Sequence, residues 1–193
     1  MTEEKKAVFL DRDGVLIQDS HLLTKSKDIL LLDGVHSALK KLVELDYLLF
    51  LISNQSVVAR GLMTEKECHE LNSEILNLCT NGDFEFTGIS LCFHHPDAQV
   101  EEWRADSDNR KPKAGAILKF IQAYNIDVKS SYMVGDRESD IIAGNISGLK
   151  SVLVSSTLKT TGSINYFEAY KEELKIPDLR YKSLLEFSNS LSS

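Results

Sequence analysis

Short apolar runs that stop abruptly on a carboxylate or hydroxyl constrain this chain more than any other feature. One run over residues 7–10 ends at Asp11, a second over 48–52 ends at Ser53, and a third over 131–134 leads into Gly135-Asp136. Four or five apolar residues are too few for a helix and suit strands buried on both faces, the signature of a parallel sheet. The segments between them carry helical periodicity instead. The Asp33-Gly34 turn leads into Val35, Leu39, Leu42 and Leu45. Thr64, with Glu67 three residues on, forms a capping-box pattern ahead of a Leu71, Ile75 and Leu78 stripe, and Asn81-Gly82 marks the stop. The same reasoning predicts strands at 88–93 and 151–154, helices over 113–124 and 138–147, and a strand edge with a short helix in the last fifteen residues. The predicted class is α/β, a parallel sheet with helices on both faces. Stretch 157–170 lacks periodicity and reads as a mobile connection.

Composition narrows the function classes. With 193 residues, 42% of them hydrophobic, residues 1–193 suit one globular domain with a substantial core. A net charge of −7 argues against a protein that binds nucleic acid or anionic membrane through a basic surface. No apolar run approaches bilayer length and no leader pattern opens the chain, so the expectation is a soluble, cytoplasmic monomer. Cys68, Cys79 and Cys92 are odd in number and irregular in spacing, which predicts reduced thiols.

Ligands of open parallel sheets bind beyond the carboxyl ends of the strands, where four polar clusters converge. In Asp11-Arg12-Asp13-Gly14, two carboxylates at i and i+2 can supply a nucleophile and a nearby acid/base while Gly14 turns the backbone. Ser53-Asn54-Gln55-Ser56 offers a hydroxyl and amides to phosphate oxygens. Arg110-Lys111-Pro112-Lys113 precedes a helix that Pro112 is placed to open, with Lys111 projecting a cation that offsets repulsion between a carboxylate and a phosphate. Asp136, in Gly135-Asp136-Arg137-Glu138-Ser139-Asp140, is a hard oxygen ligand suited to Mg²⁺, with Asp140 supporting the metal through water. Singly, each cluster reads as readily as a charged turn, a helix cap or a solvated basic patch. Their company makes phosphoryl chemistry the better reading.

In this order the clusters resemble the haloacid dehalogenase (HAD) superfamily, whose fold is Rossmann-like. The resemblance implies Asp11 as nucleophile, Asp13 as general acid/base, Ser53 as hydroxyl contact, Lys111 as cationic contact, and Asp11, Asp13 and Asp136 as Mg²⁺ ligands, Asp13 through its backbone carbonyl. An Asp at position 13 implies phosphomonoester hydrolysis. Within the superfamily the chain is similar to the D-glycero-D-manno-heptose 1,7-bisphosphate 7-phosphatases and the related histidinol-phosphatases, through Asp-Arg-Asp-Gly, Ser-Asn-Gln-Ser, Ala59-Arg60-Gly61, His94-His95-Pro96 and Arg110-Lys111-Pro112. That likeness implies a small phosphorylated sugar or similar metabolite as partner. Substrate contacts would come from Asp19, Ser20, His21, Leu22, Asn54, Gln55, Ser56, Arg110 and Arg137. Arg137 departs from the lysine common in the heptose enzymes.

Many relatives also close a structural zinc tetrahedron with Cys-x-His and Cys-x-Cys. Here Cys92 and His94 fit the first half, but Ser107 and Asn109 occupy the second, so zinc is not expected and loop 94–109 must hold its shape by packing, with Trp103 as anchor. No stretch between the first two motifs, or between the strand at 88–93 and Arg110, has room for a separate cap domain. Two other readings stay open: a phosphatase for histidinol phosphate or another small ester, and a catalytically silent sugar-phosphate-binding protein.

Overall fold

A computed structural model describes residues 4–20, 22–154 and 170–192, so His21 and most of the unpatterned stretch 157–170 lie outside the described residues. Six strands form one wholly parallel sheet: β1 (Lys6–Leu10), β2 (Tyr47–Asn54), β3 (Gly88–Cys92), β4 (Tyr132–Gly135), β5 (Lys150–Val154) and β6 (Leu179–Tyr181), in the order β3-β2-β1-β4-β5-β6. The chain builds outward from β1 to β3 and then returns to place β4 on the other side of β1. Such a reversal opens a crevice at the carboxyl ends of the two strands it separates, here β1 and β4.

Among the described residues, six α-helices cover the faces: α1 (Val35–Glu44), α2 (Ser56–Ala59), α3 (Glu65–Thr80), α4 (Gly115–Tyr124), α5 (Glu138–Ile146) and α6 (Leu184–Ser190). Alternate residues of each strand serve opposite layers, as strand geometry requires. Val8, Leu10, Leu49, Leu51 and Val134 belong to one core with Leu39 and Leu42 of α1, Ile75 of α3 and Phe187 of α6. Ala7, Phe9, Phe50 and Met133 belong to the other, with Ile117 of α4 and Ala143 of α5. The rings of Phe9 and Phe50 stack there at 4.9 Å. Ala7 to Leu10 are wholly buried, each large side chain contributing about 1.5–3 kcal/mol, so β1 is a rigid base for the residue that follows it.

Local signals match the elements closely. Thr64 accepts a hydrogen bond from the Glu67 amide while Glu67 Oε2 accepts one from the Thr64 amide at 2.7 Å, and α3 ends at Asn81 in the left-handed region (φ 52°). The start of α4 differs from expectation. Pro112 does not open the helix. It lies in a reverse turn closed by the Lys113 amide on the Arg110 carbonyl (2.9 Å), with a cis Lys111–Pro112 peptide, and α4 begins only at Gly115. No helix among the described residues is long and apolar enough to cross a membrane.

Candidate active site

The Asp11 amide donates to the Val134 carbonyl at 3.0 Å, prolonging β1–β4 pairing and placing its side chain at the crevice. The backbone then curls sharply. Leu16 N returns to Arg12 O (2.9 Å), Gly14 N donates to Ile17 O (2.8 Å), and Gln18 and Leu32 complete a short pairing of 16–18 with 30–32. Gly14 is required twice over. Its φ is +84°, and a Cβ there would stand 2.1 Å from Asp136 Oδ2.

Lys111 is fixed at both ends. Asn54 clamps its backbone, Oδ1 accepting from the Lys111 amide (3.1 Å) and Nδ2 donating to its carbonyl (2.9 Å). The buried ammonium donates to the Ile52 carbonyl at 2.7 Å and pairs with Asp11 Oδ1 at 2.9 Å and Asp140 Oδ1 at 2.6 Å. Burial favours the neutral amine, but Asp11 and Asp140 outweigh it and hold the Lys111 pKa above its ordinary value. Asp11 Oδ1 also accepts the Arg12 amide at 2.8 Å. Two donors thus hold one oxygen and fix the direction of the other.

Asp140 also has a structural part within the protein itself. Besides meeting Lys111 directly, its Oδ2 accepts the Arg137 amide at 3.0 Å and closes the amino end of α5. A Cβ on Gly135 would stand 2.1 Å from Asp140 Cβ, so that approach depends on glycine. Burial pushes the Asp140 pKa up to about 7 against the pull of Lys111, with Asp11 adding to the rise. Asp11, Asp136 and Asp140 bring carboxylate oxygens within 4.8 Å of one another, and Asp136 is only 1% exposed. Three crowded, buried carboxylates fit a hard divalent cation, which would relieve a repulsion that Lys111 alone only partly offsets.

Ser53, Gln55, Asp13 and Arg12 form a second network. Gln55 Nε2 donates to Ser53 Oγ (2.9 Å) and to Asp13 Oδ2 (3.0 Å), while its Oε1 accepts from Arg12 Nη2 (2.8 Å). Arg12 Nη2 also reaches Asp13 at 3.1 Å. No functional role for Arg12 is legible in the sequence, although a charged residue held between two strand-end carboxylates was the available signal.

A cleft of about 520 Å³ opens over these groups, lined in part by Asp11, Asp13, Gln55, Ser56, Lys111 and Arg137. Ser53 and Asp136 are buried and are not among its lining residues. Leu22 lines it with a positive φ of 90°, whereas exposed Ser20 does not line it. Arg137 Nη2 donates to Asp19 Oδ2 at 2.7 Å, joining the predicted substrate loop to the head of α5. Arg110 lines the cleft as well and donates to the His94 carbonyl at 3.1 Å. Arg60 and His95, unassigned from sequence as site residues, complete this basic side. Burial, then Arg110 and Arg60, hold His95 below its ordinary pKa despite Asp97.

In loop 94–109, the Trp103 ring meets Phe93 at 5.4 Å and His94 at 5.2 Å. Lys113 pairs with Asp106 at 2.8 Å, and the Gly115 amide donates to Asp108 O at 2.9 Å. Burial pushes the Cys92 thiol pKa up, against its hydrogen bonds to His94 and Ser107. The loop is therefore tied by rings and hydrogen bonds.

A parallel sheet that reverses between β1 and β4, with an Asp-x-Asp, a hydroxyl, a lysine and an acidic cluster at that point, defines the HAD class of phosphatases. Residues 109–180 match the HAD-hydrolase-like family model. The D-glycero-β-D-manno-heptose-1,7-bisphosphate 7-phosphatase of Haemophilus ducreyi is 40% identical over 157 residues, covering 80% of this chain and 85% of that one, and its Pasteurella multocida counterpart is 37% identical over 80% and 84%. The crystal structure of D,D-heptose 1,7-bisphosphate phosphatase from B. bronchiseptica, complexed with magnesium and phosphate, superposes with a TM-score of 0.76 at 26% identity, covering 96% of this chain and 97% of that one. The chain belongs to this heptose bisphosphate phosphatase family of the HAD superfamily and is a phosphatase.

Proposed function

We propose that this phosphatase is Mg²⁺-dependent, works through an aspartyl-phosphate on Asp11, and removes the 7-phosphate of D-glycero-β-D-manno-heptose 1,7-bisphosphate. The observation that carries the mechanism is the fixing of Asp11: one oxygen is held by Lys111 and the Arg12 amide, and the carboxylate sits beside Asp136 and Asp140. Asp11, Asp136 and the Asp13 carbonyl would hold the metal, whose chemistry when bound is to neutralise phosphoryl charge and orient the ester. Asp11 attacks phosphorus while Asp13 gives its proton to the leaving alkoxide. Asp13 then takes a proton from the water that cleaves the acyl-phosphate, releasing phosphate and restoring Asp11. Ser53 and Lys111 stabilise the phosphoryl oxygens throughout.

The substrate reading rests on the relatives' names and on the basic side of the cleft. Arg60 and Arg110 share one cavity with Asp11, so a sugar bearing two phosphates would place one at the nucleophile and the other among these cations. Phosphate release with Mg²⁺ should be fastest on the heptose bisphosphate in a panel containing histidinol phosphate and monophosphorylated sugars. Faster turnover of histidinol phosphate would overturn the heptose assignment.

A further inference from the structure

Arg12 is the least comfortable residue in the site. It is 1% exposed, yet among the described residues its Nε and Nη1 make no hydrogen bond. A guanidinium buried for stability alone would satisfy more of its five donors, because each unmet buried donor carries a desolvation cost. Its one engaged nitrogen, Nη2, points at Gln55 Oε1 and Asp13.

The two ends of the Gln55 amide differ chemically: one accepts and the other donates. Arginine has no acceptor, so only the oxygen can face Arg12. Nε2 must then face Ser53 and Asp13, as found. Ser53 Oγ consequently accepts from inside the protein, which leaves its own proton to be donated outward. A reversed amide would accept the Ser53 proton and present a lone pair to Asp13.

We propose that Arg12 is a positioning residue that sets the hydrogen-bond polarity of the site through Gln55, aiming the Ser53 proton at the phosphoryl oxygens and presenting donors to Asp13. The inference rests on the phosphatase reading above. It separates the amide's direction from its mere presence, and the Gln55→Glu substitution isolates that difference. The carboxylate it introduces would pair with Arg12 and preserve packing, but its second oxygen would draw the Ser53 proton inward and repel Asp13.

The experiment compares wild type, Arg12→Met and Gln55→Glu on D-glycero-β-D-manno-heptose 1,7-bisphosphate with Mg²⁺, alongside thermal melts. Each variant should lose about ten- to a hundredfold in kcat, the scale of a hydrogen bond to a charged group. The kcat should fall by a larger factor than KM rises, since the disturbed groups act most strongly on the charge that develops in the transition state. Gln55→Glu should melt no lower than wild type. Wild-type kcat in Gln55→Glu overturns the polarity assignment, whether or not Arg12→Met folds. A wild type inactive on every phosphate monoester overturns the phosphatase reading and this inference with it.

Discussion

Lys111 Nζ lies 2.6 Å from Asp140 Oδ1, an ion pair in which both side chains are essentially inaccessible to water. Removing the cation strands two buried carboxylates, Asp140 and Asp11. Breaking such a buried pair costs about 3–5 kcal/mol, so Lys111→Met should melt well below wild type in metal-free buffer. Mg²⁺ bound at the proposed site would neutralise the same cluster and should therefore raise the melting temperature of the variant more than that of wild type. Its kcat should fall about 10²–10³-fold, as for loss of one oxyanion donor. Equal Mg²⁺ stabilisation of both proteins would contradict the shared electrostatic role.

Asp11→Asn keeps the backbone bond to Val134 and nearly the same volume, so the fold should survive. The amide is no nucleophile, and turnover should vanish. Rapid acid quench of wild type should trap an acyl-phosphate that the variant lacks. Substantial phosphate release by purified Asp11→Asn would sink the nucleophile assignment.

Gly14→Ala places a methyl against Asp136 Oδ2 and forces an L-residue to φ +84°. A residue held in that region costs about 1–3 kcal/mol before the clash is counted. Asp136 must yield, so Mg²⁺ affinity should drop with stability. Calorimetric titration of Mg²⁺ checks this, and wild-type affinity in a folded Gly14→Ala protein would separate Asp136 from the metal.

Much of this arrangement was legible because the β1, β2 and β4 motifs mark their strand ends in sequence. An apolar run that stops on Asp11, Ser53 or Gly135-Asp136 encodes both a buried strand and the polar group presented at its tip. What stayed hidden were relations between distant segments. Nothing local says that Asn54 spends its side chain clamping the Lys111 backbone, 57 residues away, or that Arg12 addresses Gln55, 43 residues away. Asp140 carried a helix-start signal that masked its pairing with Lys111, because one carboxylate serves both ends. Pro112 misled for a related reason: proline suits a first helical turn and a reverse turn alike, and only tertiary docking of Lys111 decides between them.

His95 offers a pH test of the basic side of the cleft. Burial and the two nearby arginines lower its pKa from 6.5, so the free protein holds it neutral at pH 7. Protonation therefore opposes the folded state, and its contribution to stability is lost as pH falls below the ordinary histidine range. A phosphate seated among Arg60, Arg110 and His95 would offset the arginine charges and raise that pKa. By linkage, the heptose bisphosphate should bind more tightly as pH falls through the raised value, while a sugar carrying only the reacting phosphate should show no such dependence from His95. Imidazole NMR titration of catalytically silent Asp11→Asn, with and without the bisphosphate, measures the shift directly. An unchanged His95 pKa on saturation would place the second phosphate elsewhere in the cleft.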